Sequence, residues 1–260
     1  MSPSPPDPAR DPTKRFSSRV ENYVRFRPGY PKEILAMLKS ECGLNAHSVI
    51  ADIGSGTGKL TELFLENGNR VFGVEPNRDM REAGERLLKP FQNFTSVAAS
   101  AEETTLPNAS TDFVVAGQAF HWFDRARCRK EFARILKPGG WVVLAWNDRK
   151  TESTAFLIEY EKLLKTYATD YSKVDHKQID DAVVREFFGY APMKRAFSSA
   201  QEFDYEGLKG RLLSSSYAPE KGQPGHDKML SELEKIFRTH QENGYVEFAY
   251  DTVVYYGGLT

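Results

Sequence analysis

Three glycines at alternate positions and one glutamate further along the chain have the types and spacing of a ligand site. Residues 49–58 read Val-Ile-Ala-Asp-Ile-Gly-Ser-Gly-Thr-Gly, and Glu75 follows a second apolar segment. Glycine lets the backbone turn sharply and approach a ligand where a Cβ would clash. A carboxylate about 20 residues after such a turn can accept the hydrogen bonds of a ribose diol. The spacing therefore predicts a site for a ligand that contains adenosine.

The same spacing argues against two kinds of phosphate site. A pyrophosphate-binding Rossmann turn, Gly-x-Gly-x-x-Gly, would have glycine where Lys59 stands. A P-loop would have glycine at Ile53 and Ser or Thr at Leu60. Two alternatives stay open: a nicotinamide-dependent oxidoreductase, against which Lys59 argues, and a protein that binds a cofactor without turning it over.

Asp52, the glycine turn and the pair Glu75-Pro76 resemble motif I and its partner acid in class I S-adenosylmethionine-dependent methyltransferases. Leu-Lys-Pro-Gly-Gly at residues 136–140 is a further hallmark, in which proline ends a helix and the glycines turn the chain. The resemblance covers about residues 16–259. It implies an α/β fold with a Rossmann-like seven-stranded sheet, an antiparallel last strand, helices on both faces and helical cap insertions. It also implies S-adenosylmethionine as cofactor and methyl transfer as the reaction.

A second motif narrows the resemblance. Tyr-x-x-x-Arg-Pro-x-Tyr-Pro at residues 23–31 resembles the segment before motif I in small-molecule enzymes of the trans-aconitate methyltransferase subgroup. Ser-Ser-Ser-Tyr at residues 214–217 also recurs there. The resemblance implies that Arg27 reaches the methionyl carboxylate of the cofactor, for which the donor fork of a guanidinium is suited. The alternative is a surface arginine beside a turn.

The resemblance implies a cofactor site made from the ends of the first four strands. Pro76 and Met80 would flank the adenine, although methionine on a helix face is often core filler. Ala101 and Glu102 would lie over the adenine, unless Glu102 is simply solvated. The implied cofactor-binding residues are Arg27, Asp52, Gly54, Ser55, Gly56, Glu75, Pro76, Met80, Ala101, Glu102 and Gln118.

Gln-Ala-Phe-His-Trp-Phe at residues 118–123 follows the fourth strand, where open α/β sheets place their chemistry. Methyltransferases that act on amino groups of bases or amides usually carry Asp/Asn-Pro-Pro-Tyr at this position, and this chain does not. Together with the resemblance, this difference indicates an oxygen of a small carboxylate or related metabolite as the methyl acceptor. His121 is the side chain that could take a proton near neutral pH, or it could simply hold the loop. The expected substrate-binding residues are Tyr23, Phe120, His121, Trp122 and Arg211, the last as an anchor.

The elements that must position these residues alternate along the chain. Strands are predicted at residues 49–53, 70–74, 94–98, 112–117, 141–146, 193–203 and 245–256. Helices are predicted from Pro31, at 59–67, from Asn77 or Asp79, and at 124–136, 154–166, 180–188, 207–213 and 228–240. A proline-rich disordered tail is expected at residues 1–15, followed by one methyltransferase domain at 16–260. Cap insertions are expected at about residues 151–190 and 205–241.

The composition limits the partners. The chain has 260 residues and a net charge of −1, which does not favour nucleic acid or an anionic membrane. No run of about 18 apolar residues is present, so no spanning helix is expected. The two cysteines are far apart and the five histidines lack ligand spacing, so a reduced, metal-free protein is expected. We therefore expect a cytoplasmic monomer or homodimer that acts on a small molecule.

Overall fold

The computed structural model describes residues 19–169, 171 and 179–259, so the predicted tail lies outside the described residues. The strands are β1 (Val49–Ile53), β2 (Arg70–Val74), β3 (Phe94–Val97), β4 (Thr111–Gly117), β5 (Leu136–Arg149), β6 (Met193–Phe203) and β7 (Val246–Gly257). The described helices are α1 (Val20–Phe26), α2 (Glu33–Cys42), α3 (Lys59–Glu66), α4 (Arg78–Leu88), α5 (Arg125–Ile135), α6 (Ala155–Tyr167), α7 (Asp181–Phe188), α8 (Tyr205–Leu213) and α9 (His226–His240).

The seven strands form one sheet in the order β3-β2-β1-β4-β5-β7-β6. The first five strands pair in parallel, and β7 runs antiparallel to both β5 and β6. The predicted Rossmann-like sheet with an antiparallel last strand is confirmed. Parallel strands place their carboxyl ends on one edge, so the loops after β1, β2, β3 and β4 meet there.

Both faces of the sheet are covered, because side chains alternate along each strand. In β1, Ala51 and Ile53 join a core cluster beneath α5 and α7, whereas Ile50 joins a second cluster beneath α2 and α3. A third cluster lies between α6, α8, α9 and the long strands β6 and β7. Two helices that follow site-forming loops have the predicted caps, since Asn77 and Asp124 accept hydrogen bonds from the backbone N–H groups of Met80 and Arg127.

The fifth strand begins earlier than the sequence predicts. The Lys-Pro-Gly-Gly segment predicts a turn and a strand start at Trp141, but β5 starts at Leu136 directly after α5. Thr111 pairs with Leu136, and Phe113 then pairs with Trp141, so β5 carries additional residues opposite β4. Gly139 has a φ of 79°, which the sterics of other residues disfavour. The glycines therefore form an irregularity within the strand.

Helix α1 lies across the carboxyl edge of the sheet, between α4 and α8. Val20 packs in a small cluster with Met80 and Ala83 of α4. Phe26 lies so close to α8 that a Cβ on Gly210 would be 2.0 Å from its ring. The Arg19 guanidinium donates to the carbonyls of the segment that follows α8, at 2.6 Å and 2.7 Å. Helix α1 is thus fixed to α8 at both of its ends.

No helix within the described ranges is long and apolar enough to cross a membrane.

Glu131 on α5 holds the loop between β3 and β4. Its carboxylate accepts two hydrogen bonds from Arg134 and one from the Thr104 N–H at 2.8 Å. The Arg134 hydrogen bonds, with those of Thr104, lower the pKa of Glu131 to about 2. A lowered carboxyl pKa stabilises the fold above the unfolded value of 4.5, and this stability is lost as the pH falls toward 2.

We therefore expect Glu131→Gln to lower the free energy of unfolding at pH 7 by about 1–3 kcal/mol, because a charged acceptor is lost. The difference from the wild type should shrink as the pH falls from 4.5 toward 2. Urea unfolding at several pH values measures both. The matched control is Glu234→Gln, which breaks an exposed ion pair with Arg238 and should change stability by less than about 1 kcal/mol. If the loss of unfolding free energy in Glu131→Gln did not vary with pH, the lowered pKa assigned to Glu131 would be contradicted.

Candidate active site

A cleft with two lobes opens at the carboxyl edge of the sheet. The outer lobe has a volume of about 220 Å³ and is lined by residues that follow β2, β3 and β4. The inner lobe has a volume of about 50 Å³ and lies beneath α1 and α8. The lobes meet where five lining residues are common to both: Tyr23, Gly54, Gly56, Gly117 and Gln118.

The glycine turn after β1 forms the floor of the cleft. Gly54 and Gly56 have φ values of 69° and 57°, in the left-handed region that other residues rarely adopt. A Cβ on Gly54 would lie 2.6 Å from the Cβ of Ala119. The N–H groups of Gly54 and Ser55 both donate to the Val74 carbonyl. The turn therefore presents bare backbone to the cleft, as the spacing predicts.

Glu75, at the end of β2, lies across this turn. One carboxylate oxygen accepts from the Gly56 N–H at 2.8 Å, and the other accepts from the Asn77 N–H at 2.8 Å. Burial raises the pKa of Glu75, although these two hydrogen bonds oppose the shift. Each carboxylate oxygen has more than one acceptor site, so Glu75 can also bind a ligand. The glycine turn and Glu75 form one fixed unit.

Asp52 is a buried carboxyl at the base of the inner lobe. One oxygen accepts from the Thr61 hydroxyl at 2.6 Å, and the other has no hydrogen-bond partner among the residues that the structure describes. Burial, reinforced by the charge of Glu75 and opposed by the Thr61 hydrogen bond, raises the pKa of Asp52 to about 7. A buried oxygen without a donor indicates that a ligand cation or N–H group completes the site.

Two arginines face the inner lobe. Arg27 donates to the Ser214 hydroxyl at 3.0 Å and to the Ser215 hydroxyl at 3.2 Å. Arg211 donates to the Tyr250 hydroxyl at 3.1 Å and to the same Ser215 hydroxyl at 3.3 Å. Within the described part of the chain, neither guanidinium forms an ion pair with a carboxylate. Burial and the charge of Arg211 lower the pKa of Arg27. The inner lobe is thus suited to anions.

Gln118 links this site to the strand beside it. Its φ of 54° is unfavourable for a residue with a side chain, by roughly 1–2 kcal/mol. Two hydrogen bonds hold it in place, from its N–H to the Ala145 carbonyl and from its side-chain amide to the Asn147 carbonyl. The Asn147 amide in turn donates to the Gly29 carbonyl. This network ties the segment before α2 to the sheet.

The structure brings together all of the predicted cofactor-binding residues, since every one lines at least one lobe. Of the predicted substrate-binding residues, Tyr23 lines both lobes, Trp122 lines the outer lobe and Arg211 lines the inner lobe. Tyr30 and Asn147 also line the inner lobe and were not predicted. Tyr30 belongs to the Arg-Pro-x-Tyr-Pro motif, and this motif could have indicated it as a site residue. Asn147 has no sequence signal beyond its position near the end of a strand.

Phe120 and His121 do not have the predicted positions. Phe120 is fully buried and packs edge-on against Phe187, with ring centroids 4.8 Å apart. His121 stacks obliquely on Trp122 at 4.9 Å and is not among the residues that line either lobe. The reason is local: Phe120–Trp122 is a 3₁₀ turn, whose successive side chains point in different directions. Of these residues, Trp122 faces the cleft.

Four aromatic residues of the first expected cap insertion belong to the hydrophobic core. Phe156 and Tyr160 belong to the core cluster beneath α6, and Phe187 and Phe188 belong to the cluster beneath α5. They stabilise the fold and do not line the cleft. Among the described side chains, no group of three His, Cys, Asp or Glu residues is placed to hold a metal ion.

Asp52 makes the stability of the ligand-free protein depend on pH. Because its pKa is raised from 3.8 to about 7, the folded protein keeps a proton that the unfolded chain releases, and stability falls as the pH rises through this range. We expect Asp52→Asn to remove this dependence. Between pH 4 and pH 8, the free energy of unfolding of the variant should rise by about 1–3 kcal/mol relative to that of the wild type. Thermal unfolding across that range measures the gain. The exposed Asp79→Asn variant is the control, and a similar trend in it would contradict the assignment.

Comparison with known proteins is consistent with this geometry. Residues 51–144 match the family model described as a methyltransferase domain. An uncharacterized methyltransferase of Schizosaccharomyces pombe, C25B8.09, is 30% identical over 247 residues, which are 93% of this chain and 96% of the relative. The malonyl-[acyl-carrier protein] O-methyltransferase of Marinomonas sp. is 30% identical over 134 residues, 50% of this chain and 48% of the relative.

A solved structure from Anaeromyxobacter dehalogenans, provisionally assigned as a type II methyltransferase, has the same fold. Its TM-score is 0.69 at 19% identity, and the match covers 90% of this chain and 98% of that one. The full-length relative, the family model and the observed sheet order agree. They decide against the alternative of a nicotinamide-dependent oxidoreductase. The chain belongs to the class I S-adenosylmethionine-dependent methyltransferases.

Proposed function

We propose that this methyltransferase transfers the methyl group to an oxygen of a small carboxylate, as expected from the trans-aconitate methyltransferase subgroup. The observation that most supports this proposal is the pair Arg27 and Arg211. Both are cations that face the inner lobe without a carboxylate partner in the described ranges. A buried charge without a counter-charge is costly, so each arginine favours an anionic ligand. The cofactor contains one carboxylate, which leaves one guanidinium for the acceptor.

The outer lobe fits the adenosine part of the cofactor. Glu75 would accept from the ribose diol, and Pro76 and Met80 would flank the adenine. Glu102 would accept from the exocyclic amine; one of its oxygens also accepts from the Asp124 N–H at 3.0 Å. Ala101 lines the same lobe and would offer its backbone N–H. These contacts satisfy both the flat faces and the polar edges of an adenosine.

The inner lobe fits the amino-acid end of the cofactor. Asp52 has a buried oxygen without a donor among the described residues, which suits an ammonium group. Arg27 would bind the methionyl carboxylate, and the bare backbone of Gly54, Ser55 and Gly56 permits close approach. When bound, S-adenosylmethionine supplies a methyl group on a sulfonium that is already a good leaving group. The protein must therefore align the acceptor and exclude water.

A carboxylate acceptor requires no general base, because it is already ionised at neutral pH. This agrees with the position of His121, which is not among the residues that line the cleft. Arg211 would hold the acceptor carboxylate, and Tyr23 and Gln118 lie where the two lobes meet. The name of the Marinomonas relative, an O-methyltransferase, supports oxygen as the acceptor atom. The small volume of the inner lobe favours a small molecule over a polymer.

The first test is a panel of small carboxylates, amines and thiols with isotopically labelled S-adenosylmethionine. We expect label in carboxyl esters, which are recognised because mild alkali releases them. Transfer to nitrogen acceptors only would refute the proposal. Tight binding of S-adenosylhomocysteine, with no transfer to any acceptor, would favour the alternative of a protein that binds the cofactor without turnover.

The second test separates the two arginines. Arg27→Lys should weaken the binding of S-adenosylhomocysteine about 10- to 100-fold, because the charge is kept but the bidentate geometry is lost. Arg211→Lys should leave that affinity within about threefold and should lower kcat/KM for the carboxylate acceptor by a similar 10- to 100-fold factor. Calorimetry and initial rates measure these effects, and thermal unfolding checks that both variants fold. Equal loss of cofactor affinity in both variants would overturn the division of roles.

A further inference from the structure

Tyr30 lines the inner lobe, and its hydroxyl group forms no hydrogen bond with the residues that the structure describes. Its ring packs against the core cluster beneath α2 and α3, so the side chain is half-buried and its remaining surface faces the cavity. The hydroxyl is not one of the fully buried polar atoms that lack a partner, so it is accessible from the cavity and can donate to an acceptor atom there. The position of Tyr30 thus indicates a ligand that completes this hydrogen bond.

The hydroxyl lies beside Gly117 at the carboxyl end of β4. A Cβ on Gly117 would be 2.4 Å from the Tyr30 oxygen, so only glycine leaves room for it. Gly117 lines both lobes, and the hydroxyl is therefore at their junction. An acceptor held by Arg211 in the inner lobe must reach the methyl group at this same junction.

The backbone around Tyr30 is held in place before any ligand binds. Pro28 fixes its own φ, and Pro31 restricts Tyr30 to extended conformations. Between them, the Gly29 carbonyl accepts a hydrogen bond from the Asn147 amide at 3.0 Å. The other side of that amide accepts from the Thr252 hydroxyl at 2.6 Å, so Asn147 is itself fixed by β7. Such preorganisation is typical of groups that position a substrate.

We infer that Tyr30 donates a hydrogen bond to the carboxylate of the methyl acceptor and, with Arg211, determines the specificity of the enzyme for carboxylates. This inference rests on the proposed function. The two donors come from separate elements, the segment before α2 and helix α8, so they can define the position and the orientation of a carboxylate. Neither the glycine turn nor Glu75 takes part.

Tyr30 acts as a donor and not as a base. Burial, reinforced by the nearby Tyr23 and Asp52, raises the pKa of Tyr30 well above its usual value. The hydroxyl therefore keeps its proton throughout the neutral range and cannot accept one from the acceptor. A tyrosine of this kind contributes binding and alignment, while the pH profile of the reaction is set by other groups.

The test compares Tyr30→Phe with the wild type, because the variant keeps the ring and removes only the hydroxyl. Calorimetry measures the Kd of the best carboxylate of the panel on enzyme loaded with S-adenosylhomocysteine, and initial rates give kcat/KM. We expect acceptor affinity and kcat/KM to fall about 10- to 100-fold, with the Kd of S-adenosylhomocysteine unchanged within about twofold. The shape of the pH profile between about pH 6 and pH 9 should be the same as that of the wild type.

Tyr190→Phe is the matched control, since its hydroxyl donates to the Gly258 carbonyl outside the cleft, and it should behave as the wild type. Unchanged acceptor affinity in Tyr30→Phe would overturn the inference and leave the proposed function intact. A loss of S-adenosylhomocysteine affinity as large as the loss for the acceptor would also overturn it, because Tyr30 would then serve the cofactor. If the wild type methylates no carboxylate, the proposed function and this inference both fail.

Discussion

Two guanidinium groups share one serine hydroxyl in the interior of this protein, and the chemistry of the cleft depends on that arrangement. Arg27 and Arg211 both donate to Ser215, and within the described residues their other partners are neutral. Neutral oxygens orient a cation but do not cancel its charge. The two guanidinium groups therefore have no carboxylate partner within the described residues, and an anionic ligand would supply one. The proposed preference for anionic ligands rests on this arrangement more than on the shape of the cleft.

The cleft is assembled from two parts that are held in place by different contacts. The glycine turn and Glu75 are joined by the hydrogen bond from the Gly56 N–H to the Glu75 carboxylate, at the ends of neighbouring strands that are paired on both sides. The opposite wall consists of α1 and α8, which are attached to each other through Arg19, Phe26 and Arg27. In the proposed function, the adenosine end of the cofactor would lie on the fixed part, and the carboxylates of both ligands would lie where the sheet meets the helical wall.

The glycine turn and Glu75 could be predicted from the sequence. The contacts of the wall formed by α1 and α8 could not. The strand before the glycine turn and Glu75 are close in sequence and carry a strong local pattern. Strands β1 and β2 were therefore predicted, and every residue predicted to bind the cofactor lines the cleft, although Tyr30 and Asn147 were missed. The contacts of Arg27 with Ser214 and Ser215 join residues 187 and 188 positions apart, and no local pattern reports such a pairing. Phe120 was misplaced because a 3₁₀ turn changes which residue faces the cleft. The predicted start of β5 was wrong because Leu136 already pairs with Thr111, and the Pro-Gly-Gly irregularity lies between that pair and the pair of Phe113 with Trp141.

The small volume of the inner lobe has a kinetic consequence. A space of about 50 Å³ accommodates only a few water molecules, far less than an amino-acid tail together with an acceptor. Under the proposed function, ligand entry would therefore require α1 to move away from α8 and α4, against the packing of Phe26 on Gly210 and of Val20 on Met80. Release of the demethylated cofactor would use the same opening, so that each turnover would include one such movement.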